Sequence, residues 1–268
     1  MGPGPGRETL RDGVASVTAQ RVAAHRLSFE RAPAAYGDPG ADERLARDVA
    51  GTARVERGGR MVRYLAARTT FFDRVVVLAL DRGCPQVVIA AAGYDGRALR
   101  YAKPGVRWFE LDHPATQADK RERLDHIGVG TRHASFVAAD FAVDPIASAL
   151  TGAGHEAGRS TLFLCEGVAV YLERHVLERL LRELRAVAAP ASRLAISLSV
   201  STGAAGLAAR RGLFRAAVAA MGEPARTTLT ADEVGPMFAA TGWREVPTAE
   251  RPAGDRARSV GLVVAEPV

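Results

Sequence analysis

Val87-Val-Ile-Ala-Ala-Ala-Gly-Tyr-Asp-Gly-Arg97 decides the fold of this 268-residue chain. An apolar run with the look of a buried strand ends in four small residues, and a helix is expected to start near Asp95. In an open α/β sheet, ligands sit at the carboxyl ends of the strands, beside the point where strand order reverses. Small residues at Ala91, Ala92 and Gly93 let a ligand approach the backbone, and free N–H groups at a helix start can receive its polar part. Ala91-x-Gly93-x-x-Gly96 is also a degraded dinucleotide fingerprint, and small residues at such a turn can merely ease packing.

The pattern repeats outward from that stretch. Apolar runs fall at Gln86–Ala91, Val106–Leu111, His133–Ala138, Ser160–Glu166, Arg193–Ser199, Trp243–Pro247 and Ser259–Ala265. Helical segments separate the first six: Asp95–Ala102, Pro114–Ile127, Pro145–Gly152, Glu173–Ala188, Ala204–Met221 and Ala231–Thr241. Strands alternating with helices predict an α/β fold with a doubly wound, mostly parallel seven-stranded sheet. Turn signals after Pro247 predict that the last two strands pair as an antiparallel hairpin, unlike the usual dinucleotide-dehydrogenase pattern. Upstream, residues 1–59 read as an N-terminal helical cap, with helices at Val14–Leu27 and Asp42–Ala50 and Asp42 as an N-cap. A longer helix is expected from Gly59 to Leu80, with a possible break near Thr69. Residues 60–268 then form the main domain, with a helical lid at about 201–228 built on the Ala-rich Leu207–Met221.

Composition narrows the function. Hydrophobic residues make up 47% and charged residues 25%, which excludes global disorder and fits a soluble globular protein. No apolar stretch approaches the ~20 residues of a membrane span, and the N-terminus lacks a signal-peptide core, so a cytoplasmic protein is expected. The net charge of +6 comes from 34 Arg and 2 Lys against 30 acids. Runs such as Arg121-Glu122-Arg123 and Arg182-Glu183-Leu184-Arg185 alternate in sign, as solvated helix faces do, which argues against a nucleic-acid partner. Cys84 and Cys165 read as buried free thiols, and no Cys/His spacing suggests a metal.

Three further strand ends carry chemistry. Trp108-Phe-Glu-Leu-Asp112-His-Pro114 places an acid 19 positions after Gly93, where a carboxylate can accept from both hydroxyls of a ribose. Glu110 shares the parity of Asp112, so either can be that ligand; Asp112 or His113 before Pro114 can also cap a helix. Phe136-Val-Ala-Ala-Asp140-Phe141 offers an acceptor for a purine amino group beside an apolar wall. Leu162-Phe-Leu-Cys-Glu166-Gly-Val-Ala-Val-Tyr171-Leu172 ends an apolar strand in a Glu that needs a polar partner, water or a cation.

These motifs, in this order, resemble the leucine carboxyl methyltransferase family, class I methyltransferases that use S-adenosylmethionine. Ala67-Arg68-Thr69-Thr-Phe-Phe-Asp73 resembles that family's Arg-bearing helix, and Ser259-Val-Gly-Leu-Val-Val its last strand. The resemblance runs from about Arg60 to Val268, and more loosely over Arg21–Asp48. It implies S-adenosyl-L-methionine as cofactor, with Gly93 behind its methionine part, Asp112 on the ribose, Asp140 and Phe141 at the adenine, and Glu166 near the methionine moiety. It further implies that Arg68 reaches the cofactor carboxylate close to the substrate, and that Tyr171 holds a substrate carboxylate, making Arg68 and Tyr171 the catalytic pair. Where the family commonly has Gly-x-Gly, this chain has Ala91-Ala92-Gly93.

The function expected is O-methylation of a small-molecule acceptor, a carboxylate first and a natural product or metabolite by preference. A phenol or alcohol acceptor would need a base, for which only His113 and His25 offer themselves. Arg68 and Asp73 can alternatively be a pair of surface charges, and Tyr171 a core aromatic. An NAD-type oxidoreductase suits the same turn and Asp112 but finds no Tyr-x-x-x-Lys pair; a non-catalytic nucleotide-binding protein is the third possibility.

Overall fold

The computed structural model describes residues 16–51, 58–201, 226–247 and 261–268. Helices α1 (Val17–Arg26), α2 (Pro39–Ala50) and α3 (Arg60–Asp81) precede strand β1 (Gln86–Ala90). There follow α4 (Arg97–Arg100), β2 (Arg107–Asp112), α5 (Pro114–His126), β3 (Ala134–Ala138), α6 (Ile146–Gly152) and β4 (Thr161–Cys165). The chain continues through α7 (Arg174–Ala186), β5 (Arg193–Ser197), β6 (Val200–Ser201), β7 (Leu229–Thr230), α8 (Ala231–Ala240), β8 (Trp243–Glu245) and β9 (Leu262–Pro267).

Seven strands form one sheet in the order β3-β2-β1-β4-β5-β9-β8, and β6 pairs with β7 separately. The first five strands are parallel, whereas β9 runs antiparallel to both β5 and β8. The expected seven-stranded sheet and the antiparallel pairing of its last two strands are therefore present. Strand order reverses between β1 and β4, the place where this topology opens a crevice.

Both faces of the sheet are covered, which is why its strands read as unbroken apolar runs. Alternate residues of β1 point to opposite sides. Val87 and Ile89 meet Phe72, Val76 and Leu80 of α3, while Val88 and Ala90 share the other core with Leu177, Leu181 and Phe238. Phe72, Val76 and Leu80 are fully buried; removing such side chains from water stabilises by roughly 1.5–3 kcal/mol each. A smaller cluster of Ala23, Leu45, Val49, Leu99 and Leu124 fastens α1 and α2 to the main layer.

Several local expectations are corrected. Helix α2 begins at Pro39, and its N-cap is Asp38, whose side chain accepts from the Ala41 N–H at 3.0 Å. Asp42 lies inside the helix, buried between arginines. Helix α3 is continuous through Thr69, with no break. Within the described residues, the helix expected at Val14–Leu27 is α1, Val17–Arg26, capped by Ser16. The expected lid at Leu207–Met221 lies outside the described residues. Both cysteines are free, Cys165 buried and Cys84 partly so, and burial pushes the Cys165 thiol up to about 12. No helix among the described residues is long and apolar enough to cross a membrane.

Candidate active site

Hydrogen bonds carry the strand register into the loops beyond. The Ala92 N–H donates to the Leu111 carbonyl at 3.0 Å, and the Ala139 N–H to that of Asp112 at 2.9 Å. Gly93, Asp112, Asp140 and Glu166 thus emerge in a row from the carboxyl ends of β1, β2, β3 and β4, straddling the switch point. The sheet topology that the apolar runs predict is what brings together four residues spread over 74 positions of sequence.

Asp112 accepts the N–H of Gly93 on one oxygen and that of His113, at 2.6 Å, on the other. Each oxygen keeps a second lone pair. Burial pushes this carboxyl above its ordinary range, against the pull of those N–H groups. Glu110 does not compete for the role: its carboxylate is buried on Lys120, whose ammonium also donates to the Asp95 carbonyl at 2.7 Å. The shared parity of Glu110 and Asp112 is real, but α5 covers the inner of the two. His113 caps α5, its Nδ1 accepting the Ala115 N–H at 3.4 Å.

Gly93 sits at φ +49°, and Ala91 also takes a left-handed conformation, at φ +54°. A side chain on Gly93 would reach within 2.9 Å of the Ala19 methyl on α1. The small residue here therefore admits the first helix, which crosses over the loop. Ala92 is buried in the core rather than facing a ligand.

Asp140 shapes the turn after β3. Its side chain accepts from the Ala142 N–H at 2.8 Å, and its own N–H donates to Asp144 at 2.8 Å. Phe141 packs against Val137, Ala139 and Ile146, and its carbonyl accepts from Arg179.

Glu166 departs from the simplest expectation of a carboxylate facing a ligand. Its side chain is only 3% exposed and meets three guanidiniums: Arg68 Nε at 3.0 Å on one oxygen, with Arg97 at 2.5 Å and Arg26 at 3.3 Å on the other. Burial opposes its ionisation, but Arg97, Arg26 and Arg68 outweigh that and hold it well below the usual carboxylate range. Arg68 is in turn buried yet kept charged by Glu166, Tyr64 and Tyr171. The Tyr64 ring lies 5.6 Å from its guanidinium, and a side chain on Gly167 would come within 3.1 Å of its Nη1. Arg68 and Tyr171, both expected from the resemblance to act at the substrate, thus lie close enough to influence each other electrostatically.

Arg68 and Asp73 do not pair as surface charges. Asp73 is fully buried and accepts from Arg97 Nε at 2.7 Å and from Arg31 Nε at 2.6 Å. Arg97 also reaches Asp95 and the Thr69 carbonyl. No motif points to Arg26 or Arg31, and Asp95 and Arg97 enter the sequence reading only as the helix start that closes the Val87–Arg97 stretch. A basic residue opening a helix, as Arg97 opens α4, is disfavoured by the helix dipole and signals acids close by. A cavity of about 290 Å³ beside α3, lined by Glu30, Arg31, Thr70, Arg74 and Asp81 among others, contains none of the strand-end residues. Among the described residues no cluster has the makings of a metal site.

The chain is 42% identical over 137 residues to a Parafrankia protein named "Putative S-adenosyl-L-methionine-dependent methyltransferase", covering 50% of this chain and 43% of that one. A Mycobacterium protein (strain KMS) of the same name is 39% identical over 166 residues, 60% of this chain and 54% of its own. The chain spans about half the length of these curated relatives. Among solved structures, magnesium protoporphyrin IX methyltransferase from Synechocystis, with bound S-adenosylhomocysteine, superposes with a TM-score of 0.52 at 14% identity, over 84% of this chain and 93% of that one. Human N-acetylserotonin methyltransferase, in complex with S-adenosylmethionine, gives 0.50 at 13% identity over 94% and 66%. These likenesses place the fold with class I methyltransferases. The model of the family named leucine carboxyl methyltransferase matches residues 9–185. With two-thirds of its length under that model and the strand-end residues in one row, the chain belongs to the leucine carboxyl methyltransferase family.

Proposed function

We propose that the protein is an S-adenosylmethionine-dependent O-methyltransferase of a small-molecule acceptor, with a carboxylate as the accepting group. The observation that supports this most is the row Gly93, Asp112, Asp140 and Glu166 across the switch point of the sheet. The donor set fits the cofactor. Asp112 presents free lone pairs for a diol, and Asp140 and Phe141 lie one strand further out, where the base joined to that ribose would extend. Arg68 spends its Nε on Glu166 and also meets Tyr64, while its Nη1 lies beside Gly167, from where it can reach a carboxylate.

The bound cofactor supplies an electrophilic methyl group on a sulfonium. A carboxylate acceptor is ionised at neutral pH, so the protein need not remove a proton. Tyr171 and Arg68 orient the acceptor in line with the methyl, and alignment of this kind contributes ~7–11 kcal/mol. Glu166, by drawing the Arg68 guanidinium to one side, keeps it from clamping both oxygens of the nucleophile. Helix α1, lying over Gly93, keeps water from the reacting atoms. The absence of a proposed base accords with His113 being occupied as a helix cap.

Calorimetric titration with S-adenosylmethionine, S-adenosylhomocysteine and NAD tests the assignment, followed by methyl transfer to a panel of carboxylates, phenols and alcohols. Binding of both sulfur compounds but not NAD, with product from carboxylates, is expected. NAD binding alone would overturn it in favour of an oxidoreductase, and binding without any product would favour a non-catalytic cofactor-binding protein.

A further inference from the structure

We infer that Ser201 is a specificity residue on the acceptor side of the site, binding a second, uncharged polar group of the acceptor; this rests on the carboxyl O-methyltransferase reading above. Strands β6 and β7 pair in parallel, with Val200 opposite Leu229 and Ser201 opposite Thr230. Side chains alternate across such a ribbon. Leu229 is buried in the core beneath and Val200 packs against that core, so Ser199, Ser201, Thr228 and Thr230 share the face turned away from it. Ser199 Oγ and Thr228 Oγ1 bond to each other at 3.3 Å. Thr230 Oγ1 donates to Glu233 at 3.2 Å, as part of the capping box of α8. Ser201 Oγ is buried and has no hydrogen-bond partner. A hydroxyl withdrawn from water without a partner is costly, and it calls for one from outside the chain.

The attachments of this ribbon say where that partner comes from. The Gly167 N–H donates to Ser197 Oγ at 2.7 Å, which sets the end of β5 beside the Arg68 guanidinium that lies against Gly167. Ser201 follows four residues on, at most ~13 Å away at the rise of an extended chain. On the other side, the N–H groups of Arg226 and Thr227 donate to the Val170 carbonyl at 2.8 and 3.3 Å, and Thr227 Oγ1 donates to that of Leu172 at 2.6 Å. These bonds bracket Tyr171. The hydroxyl face therefore stands beyond the carboxyl end of the sheet, tied at one end beside Arg68 and at the other around Tyr171, the two groups assigned to the reacting carboxylate. An acceptor held by that carboxylate carries its far end over Ser201. Glu233, the acid bonded to Thr230, is exposed and paired with Arg174 at 2.7 Å, so the face offers hydroxyls rather than charge. A hydroxyl, carbonyl or amide of the acceptor is the match.

The test measures methyl ester formation by the full chain, read by mass spectrometry, on carboxylates matched with and without a distal hydroxyl. The pairs are 3-phenylpropanoate with 3-(4-hydroxyphenyl)propanoate, 2-naphthoate with 6-hydroxy-2-naphthoate, and biphenyl-4-carboxylate with 4′-hydroxybiphenyl-4-carboxylate. In at least one pair the wild type is expected to prefer the hydroxylated member in kcat/KM, by about 3- to 10-fold, the value of one neutral hydrogen bond. Ser201→Ala is expected to bring that ratio to about one, a change that a merely structural role would not produce. Ser201→Cys, with a weaker donor of similar shape, is expected to fall between the two. It carries the comparison should the Ala variant fail to fold, as read by thermal melting. No preference in any pair, or one that survives both substitutions, would overturn the inference and leave Ser201 a structural residue. Ester from none of the carboxylates would instead overturn the acceptor reading, and the inference with it.

Discussion

Asp73→Asn removes one negative charge from the middle of the buried network while preserving shape. In the wild type this carboxylate accepts three N–H bonds, from Arg97 Nε at 2.7 Å and from Arg31 Nε and Nη2 at 2.6 and 3.1 Å. An amide has one acceptor oxygen, and its NH2 group must face a guanidinium donor, so at least one bond is lost and one cation is left short of a counter-charge. Both Asp73 and Arg97 are fully buried, so water cannot make up the difference without opening the core. Breaking a buried pair on one side costs ~3–5 kcal/mol, a large share of the ~5–15 kcal/mol that holds a typical domain together. At ~2–4 °C per kcal/mol for a chain of this size, the melting temperature should fall by about 6–20 °C. Urea melts give the cleaner figure: the midpoint should drop with the slope unchanged. Glu178→Gln is the control, because Glu178 meets half-exposed Arg174 and Arg182 on the surface of α7, where ion pairs contribute little. A loss below ~1 kcal/mol for Asp73→Asn, or one equal to that of Glu178→Gln, would show that the network is hydrated and would refute the reasoning.

Other perturbations address the site and its loop. Asp112→Ala should weaken S-adenosylhomocysteine binding by about 10- to 100-fold or more, since a carboxylate holding a diol makes two charged hydrogen bonds; an unchanged dissociation constant would remove Asp112 from the ribose site. Tyr171→Phe should leave that binding within about twofold and lower turnover of a carboxylate acceptor; lost cofactor affinity would reassign the phenol. Ala91→Val should destabilise by ~1–3 kcal/mol in urea melts, because a β-branched residue at φ +54° is strained, whereas Ala91→Gly should be tolerated. Equal stability of the two variants would argue against the left-handed turn. In the folded state Glu166 titrates below the unfolded carboxylate value, so its contribution is full above about pH 4.5 and is lost as the pH falls. Glu166→Gln should therefore flatten the acid limb of a melting-temperature profile, and an unchanged limb would place the acid sensitivity elsewhere.

The sheet was legible because strands covered on both sides must be apolar throughout, and Gly, Pro and Asp mark where each stops. The strand-end acids were legible for the same reason: a carboxylate closing an apolar run stands out. Period-two alternation could not separate Glu110 from Asp112. Lys120, ten positions on and on α5, separates them. Asp42 has the residue type of a cap, but Asp38-Pro39 carries the stronger signal, an acid at the N-cap followed by proline at the first helical position. The arginines around Glu166 are not legible in the sequence, because interspersed signs describe a solvated face and a buried network equally well. Only the folding of α1 and α3 over the strand tips distinguishes Arg26 and Arg97 from the exposed Arg174 and Arg182.

Helix α3 carries Tyr64 and Arg68 at the crevice and, five residues beyond Arg68, the Asp73 anchor on Arg97. Both attachments hang from one rigid rod that turns about 100° with each residue. Inserting or deleting a single position between Arg68 and Asp73 would swing one of them by about 100° around the helix, away from its partners. Variation in length, whether natural or engineered, is thus confined to the connections on either side of this rod, and that short stretch acts as the ruler against which the crevice is set.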